Sequence, residues 1–182
     1  MQTIQSLRVN LNQQEALEEL LGGGLRRLLR NAHGGPLRSL AQVFVPFRLH
    51  HVSVCSGASR QSLLLGVDTV RGTLDPYGFE RLPNEEEFFA VETRNVLPTA
   101  LEEARTREIA LSHARRQLYR TGFLRLRNFR LQADTIPVEL YIPYWIGFFG
   151  RGVRARIAVM DAVRRRLEGT KAREFFESWI LD

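Results

Sequence analysis

Two similar stretches of sequence, QVFVPFRLHHV (42–52) and ELYIPYWIGFF (139–149), decide the fold of this 182-residue chain. They align on Pro46 and Pro143. Each stretch is predicted to be a β-strand, in which successive side chains point to opposite faces of a sheet. Proline has no N–H to donate to a neighbouring strand, so both prolines are expected on an edge strand or at a bulge.

A second pair of stretches follows the first pair at a similar distance. These are GVDTVRGTLD (66–75) and VMDAVRRRLE (159–168), which align on Asp68 and Asp161. The aspartates follow the prolines by 22 and 18 residues, and the difference fits a change of turn length between two strands. Each proline-to-aspartate segment is therefore predicted to form a β-hairpin, and the chain to contain its own approximate repeat.

Strand alternation assigns one face of the first strand in each hairpin to the core. The predicted core residues are Val43, Val45, Phe47, Leu49, Leu140, Ile142, Tyr144 and Ile146. The opposite faces of the two copies differ. In the second copy the opposite face carries an aromatic stripe at positions i, i+4 and i+8, formed by Tyr141, Trp145 and Phe149.

This aromatic stripe needs a cover, because large exposed apolar surfaces mark contact sites. In one interpretation, the C-terminal helix packs on it through Phe176 and Trp179. In the other, the stripe binds a protein partner or a second copy of the chain, since Trp and Tyr are favoured anchors of interfaces. Tyr141, Trp145 and Phe149 are the partner-binding residues of this second interpretation.

Three helices are predicted around the hairpins. Asn12 and Thr99 each precede a Glu by three residues, which is the capping-box pattern of a helix N-terminus. The glycine run 22–24 weakens the first helix, and the second is expected to end at Gly122. The apolar side of the second helix is predicted to carry Leu101, Ala104, Leu111 and Leu118. The last helix, 170–181, spaces its apolar residues for docking: Ala172, Phe175, Phe176, Trp179 and Ile180.

These elements predict an α+β fold in a single domain, 1–182. Two approximate helix-plus-β-hairpin repeats, about 12–75 and 99–168, form an antiparallel sheet packed by helices, and the C-terminal helix closes the core. Residues 123–131 are expected to add a further strand. The hairpin that ends in an Asp-containing turn resembles, at a few positions, repeated secretory modules of the PepSY type, and the resemblance implies no function.

Charge is segregated along this chain, whose formal net charge is +6. Residues 75–103 contain eight acidic and two basic residues. Residues 105–130 reverse this balance with eight arginines and one glutamate, and 151–173 contain eight basic and two acidic residues. A charged partner responds to such patches rather than to the total. Two interpretations of the basic segments stay open. The acidic segment neutralises them, or they bind a polyanion.

The second functional hypothesis is nucleic-acid binding by an accessory protein. Arginines beside an aromatic residue suit phosphate contacts combined with base stacking, and Arg125 and Arg127 share a predicted strand face with Phe129. No RNP or helix-turn-helix pattern is present in the sequence. The residues of this hypothesis are Arg105, Arg115, Arg116, Arg120, Arg125, Arg127 and Arg130.

Catalytic and metal sites are not predicted. Asp68 and Asp161 fit turn acceptors better than a cation-binding or acid–base pair. His50, His51 and Cys55 cannot converge from one strand without a bulge. A single cysteine excludes an internal disulfide and a Cys-cluster zinc site. The phosphate-loop, dinucleotide-binding, nucleophile-elbow and zinc-protease motifs do not occur, so neither a cofactor nor a metal is expected.

The sequence predicts a cytoplasmic protein without membrane insertion. Its first residues lack the basic start and apolar run of a signal peptide. The most apolar segment, 140–150, is far shorter than the roughly 20 residues that a membrane helix needs. The leading functional prediction is a non-enzymatic protein-interaction or scaffold module that binds a protein partner or forms a homo-oligomer.

Overall fold

The computed structural model describes residues 1–22, 35–56, 59–120, 129–150 and 155–181. These residues form a mixed arrangement of helices and strands, which confirms the α+β class. The strands are β1 (Gln2–Leu7), β2 (Leu37–Ser56), β3 (Ser59–Asp68), β4 (Tyr77–Phe79), β5 (Phe88–Thr93), β6 (Arg130–Phe149), β7 (Arg156–Asp161) and β8 (Arg166–Leu167). The helices are α1 (Gln13–Leu21), α2 (Glu103–Arg120) and α3 (Thr170–Leu181).

The chain divides into two compact units, each built from separate segments. Unit 1 comprises Met1–Val45, Phe89–Leu97 and Tyr141–Asp182, and unit 2 comprises Pro46–Phe88 and Pro98–Leu140. Unit 1 therefore contains α1 with the hairpin of the second predicted repeat, and unit 2 contains α2 with the hairpin of the first. The single domain and the repeat halves stay predictions.

In unit 2, β2 and β3 form the first predicted hairpin. Phe47 lies opposite Asp68 and Ser56 opposite Ser59 in an antiparallel ladder. Strand β4 pairs antiparallel with β3, and the strand order of the unit is β4–β3–β2–β6.

In unit 1, β6 and β7 form the second predicted hairpin. Tyr144 lies opposite Asp161 and Phe149 opposite Arg156, and β8 pairs with β7. The strand order of the unit is otherwise β2–β6–β1–β5. Strand β1 runs parallel to β6, with Ser6 opposite Tyr141. The prediction of an antiparallel sheet is therefore wrong at this pair.

Both prolines lie in interior strands, so the predicted edge position is also wrong. Each proline occupies the point at which its strand changes neighbour. In unit 1, β6 pairs with β1 at Tyr141 and with β7 from Tyr144 onward. Around Pro46, Phe44 bridges to Val96, whereas the ladder to β3 begins at the residue after the proline. A residue without an N–H is tolerated where no ladder needs its donor.

The two proline carbonyls make corresponding hydrogen bonds. Pro46 O accepts from the N–H of Thr69 at 2.9 Å, and Pro143 O accepts from the N–H of Ala162 at 3.0 Å. Each donor follows the aspartate of its hairpin. The predicted repeat requires such a correspondence, although the repeat itself stays a prediction.

The predicted core face of β2 and β6 is buried along its whole length. All of its members are at most 4% exposed: Val43, Val45, Phe47, Leu49, Leu140, Ile142, Tyr144 and Ile146. The opposite face is also largely buried, since Phe44, His50, Trp145 and Phe149 are covered too. Each hairpin therefore packs on two sides.

Helix α1 begins as its sequence predicts. The Asn12 side chain accepts the N–H of Glu15, and the Glu15 carboxylate accepts the N–H of Asn12, both at 2.9 Å. The helix ends at Gly22, whose φ of 67° is a left-handed value that glycine adopts without a Cβ clash. The rest of the glycine run lies outside the described residues.

Helix α2 begins later than predicted, at Glu103 instead of directly after Thr99. The Thr99 hydroxyl lies 2.9 Å from Glu139 Oε1 and 3.0 Å from Thr69 Oγ1, so tertiary contacts replace the expected cap. The buried side of α2 also differs from the predicted side. It carries Thr106, Ala110, Ala114 and Leu118, because small residues let the helix approach β2 and β3 closely. The predicted end at Gly122 and most of the predicted strand 123–131 lie outside the described residues.

Helix α3 has the predicted bounds and covers the core face of β6 in unit 1. Ala172, Phe175 and Phe176 are buried, and the Phe176 ring lies 5.5 Å from the ring of Tyr144. The last turn docks less closely, since Ile180 is 44% exposed.

Candidate nucleic-acid interface

The predicted aromatic stripe is covered within unit 1. Trp145 and Phe149 are 7% and 4% exposed, and Tyr141 is half-buried. The cover is α1, whose Ala16 and Leu20 pack in one cluster with Trp145 and Phe149. The indole Nε1–H donates to the Leu11 carbonyl at 2.8 Å. The prediction that the stripe is exposed is therefore wrong. The prediction that α3 covers it is also wrong, because α3 packs on the other face of β6.

Asp68 and Asp161 are both buried turn acceptors. In unit 2, Asp68 Oδ1 accepts the N–H groups of Arg71 and Gly72, and Oδ2 accepts the N–H of Leu74 at 3.0 Å. In unit 1, Asp161 Oδ1 accepts the N–H groups of Val163 and Arg164, both at 2.8 Å. Among the described residues, nothing donates to Asp161 Oδ2. Burial raises the pKa of Asp161, and the two backbone donors oppose this rise.

This difference predicts unequal costs for the same substitution. Asp68→Asn removes the acceptor of the Leu74 N–H and should destabilise the fold by about 1–3 kcal/mol. Asp161→Asn loses no described hydrogen bond and removes a carboxyl whose charge burial disfavours, so its cost should stay below about 1 kcal/mol. Urea unfolding followed by circular dichroism measures both values. Equal losses would show that the orphan Oδ2 of Asp161 has a partner in solution.

His50 is fully buried in a polar network in unit 2, while its neighbour His51 is exposed. The His50 Nε2 lies 3.0 Å from the Thr106 hydroxyl, which itself donates to the Glu103 carbonyl. Nε2 is therefore the protonated nitrogen, and Nδ1 accepts from the Thr135 hydroxyl at 3.3 Å. Burial lowers the pKa of His50 to about 4, and the nearby arginines add to this effect. A neutral imidazole with both nitrogens bonded is a structural element of the core.

The exposed side of α2 in unit 2 concentrates positive charge. The second half of the helix has no acidic residue and carries Arg115, Arg116 and Arg120, all exposed. The buried side of the helix carries Ala110, Ala114 and Leu118 at a spacing of four, and the arginines lie on the exposed remainder of its surface. Within the described part of the chain, no carboxylate forms an ion pair with these arginines or with the exposed Arg130. Arginines at a helix C-terminus are also favoured by the helix dipole.

An aromatic pair adjoins these arginines. Tyr119 is 50% exposed, and its ring meets that of Phe129 edge to face at 6.2 Å. We call Arg115, Arg116, Tyr119, Arg120, Phe129 and Arg130 the basic surface. Tyr119 is not among the residues predicted from the sequence, although its spacing of four from Arg115 places both on one side of the helix.

The definition leaves out three arginines of the nucleic-acid hypothesis. Arg105 forms an ion pair with Glu108 at 2.9 Å. Arg125 and Arg127 lie outside the described residues. The acidic segment makes local ion pairs: Glu87 with Arg81 at 2.7 Å, and Glu103 with Arg107.

The basic surface combines the two contacts that a nucleic-acid strand offers. Guanidinium groups neutralise phosphates and donate hydrogen bonds in a planar fork, and an exposed ring provides a stacking plane.

Elsewhere in the described chain, no group of His, Cys, Asp and Glu side chains is arranged to hold a metal ion. None of the described helices has the length and apolar composition needed to cross a membrane.

Comparison with protein-family models, with curated proteins and with solved structures finds no match for this chain. Its function has to be inferred from its own residues.

Proposed function

We propose that this chain binds single-stranded nucleic acid through the basic surface. The observation that carries the proposal is a set of four exposed arginines without carboxylate partners in the described chain: Arg115, Arg116 and Arg120 lie within four residues of the exposed Tyr119 on α2, and Arg130 follows Phe129, whose ring contacts that of Tyr119. Arginines release counterions from phosphates, and every base has a face that can stack on an aromatic ring. A single strand is preferred over a duplex because its bases are free to stack.

This proposal takes up the second functional hypothesis and not the leading one. A protein-interaction module was expected to use Trp145 and Phe149, but α1 already covers both side chains. The proposed activity is binding without catalysis, by an accessory protein that acts in the cytoplasm.

Fluorescence anisotropy with labelled RNA and DNA strands of about 16 nucleotides tests the proposal. Titrations between about 50 and 200 mM salt give the slope of log K against log salt, which falls by about 0.7 for each lost phosphate contact on a single strand. Arg115→Ala, Arg116→Ala and Arg120→Ala combined should therefore lower the slope by about 2 and weaken binding at every salt concentration.

A second triple variant matches the first in charge. Arg81, Arg105 and Arg166 are exposed arginines held in ion pairs, and their joint replacement by alanine should leave the slope nearly unchanged. Tyr119→Ala should weaken binding by about 1–3 kcal/mol, whereas Tyr119→Phe keeps the stacking plane and should bind normally. Absence of binding at the lowest salt, or equal losses in both triple variants, would overturn the proposal.

A further inference from the structure

A second candidate site lies in unit 1 and shares no residue with the basic surface. A cavity of about 350 Å³ opens beside the first turn of α3, between that helix and strands β7 and β8. Its volume is in the range of about 300–1,000 Å³ that small-molecule sites occupy. The cavity is large enough to take a compact organic ligand.

One side of the cavity is apolar. It is lined by Phe149 of β6, Ile157 and Ala158 of β7, and Leu167 of β8. Leu167 is 51% exposed, which leaves an aliphatic side chain in contact with water at the cavity. A hydrophobic ligand would remove this surface from water.

The other side of the cavity is positively charged. Arg156 at the start of β7 and Arg173 in the first turn of α3 line it, and no carboxylate of the described residues is in ion-pair contact with either. Among the described residues, the guanidinium of Arg173 makes one hydrogen bond, from Nη2 to the Thr170 hydroxyl at 3.2 Å. Glu168 is the one acidic lining residue, and Arg166 Nε holds its carboxylate at 2.9 Å. The charge available to a ligand is that of the two arginines.

We infer that this cavity binds a small organic carboxylate with an aliphatic body. The guanidinium groups of Arg156 and Arg173 receive the carboxylate through charge-assisted hydrogen bonds, a pairing to which the planar fork of arginine is matched. The aliphatic body lies along Ile157, Ala158 and Leu167. Neither half suffices alone: a bare anion leaves the apolar wall wet, and a neutral chain leaves the two charges without a counterion. This inference does not depend on the proposed nucleic-acid binding.

Isothermal titration calorimetry with decanoate, kept below its micelle concentration, tests the inference on the full chain. Decanol and acetate are the matched ligands, since the first lacks the charge and the second lacks the chain. Decanoate is expected to bind with a stoichiometry of one and at least tenfold more tightly than either. Arg156→Gln and Arg173→Gln should each weaken decanoate binding at least tenfold, and Leu167→Asp should do the same through the apolar wall.

Lys171→Gln is the control variant, because it removes a positive charge from the same turn of α3 without changing a lining residue. Its decanoate affinity should match that of the unmodified chain. Circular dichroism spectra of all variants verify that they are folded. The inference is overturned if decanol or acetate binds as tightly as decanoate, if Lys171→Gln is as damaging as Arg173→Gln, or if decanoate does not bind.

Discussion

Replacing Trp145 with alanine is expected to destabilise the fold by about 3–5 kcal/mol. The indole is 7% exposed and packs in one cluster with Leu11, Ala16 and Leu20. Alanine would leave a cavity between α1 and β6. It would also leave the Leu11 carbonyl without the donor that reaches it at 2.8 Å. The partner-binding interpretation of the stripe implies the opposite result, a variant that stays folded and loses a partner.

Chemical denaturation followed by circular dichroism is the suitable measurement, because Trp179 also contributes to the fluorescence. Trp145→Phe serves as the matched control. It keeps most of the apolar packing and removes the N–H donor, so its expected cost is about 1–3 kcal/mol. A Trp145→Ala chain that unfolds at the same denaturant concentration as the unmodified chain would contradict the packing of α1 on β6.

Stability is expected to fall as the pH is lowered from about 7 to about 4, because His50 is buried as a neutral side chain. The folded state holds the His50 pKa at about 4, whereas the ordinary value is 6.5. Between these values the unfolded chain binds the extra proton, so acid favours unfolding. This difference in pKa corresponds to roughly 3 kcal/mol in the free energy of unfolding. The full contribution is present above the pKa of the unfolded state and is lost as the pH falls to the pKa of the folded state.

His50→Gln isolates this contribution from that of other titrating groups. Glutamine carries no titrating charge and presents an N–H donor for the Thr106 hydroxyl. The groups that surround His50, Arg48, Arg107 and Glu103, are the same in both proteins. The free energy of unfolding is measured at intervals between pH 4 and 7 in both proteins. Its decrease toward pH 4 should be smaller in the variant than in the unmodified chain. Parallel pH profiles would refute the assignment of the acid sensitivity to His50.

Local patterns were sufficient to predict several elements. The two proline-centred stretches are strands whose predicted core residues are all buried. The Asn12 capping box forms with both of its hydrogen bonds, and α3 has the predicted bounds. Each of these features depends on side-chain alternation or on hydrogen bonds between residues close in the chain, and such features can be recognised without knowledge of the distant neighbours.

The candidate nucleic-acid surface was predictable only in part. The run of arginines in 105–130 is visible in the sequence, and four of the seven residues selected there are exposed in the described structure without ion pairs. The roles of Tyr119 and Phe129 depend on a ring contact across the end of α2. Arg105 is left out of the basic surface because it forms an ion pair with Glu108, and only the positions of the side chains could show this ion pair.

The sequence by itself determined the two hairpins, the helix at 170–181 and which face of each long strand is apolar, because these properties repeat with the period of the backbone. Only the tertiary structure decided which helix covers which hairpin: α1 lies on the second hairpin and α2 on the first. Hydrophobic burial is not directional, and α1 and α3 both offered apolar surface to the stripe around Trp145. The choice between them follows from close packing and from one hydrogen bond between residues that are 134 positions apart, and no local pattern records either.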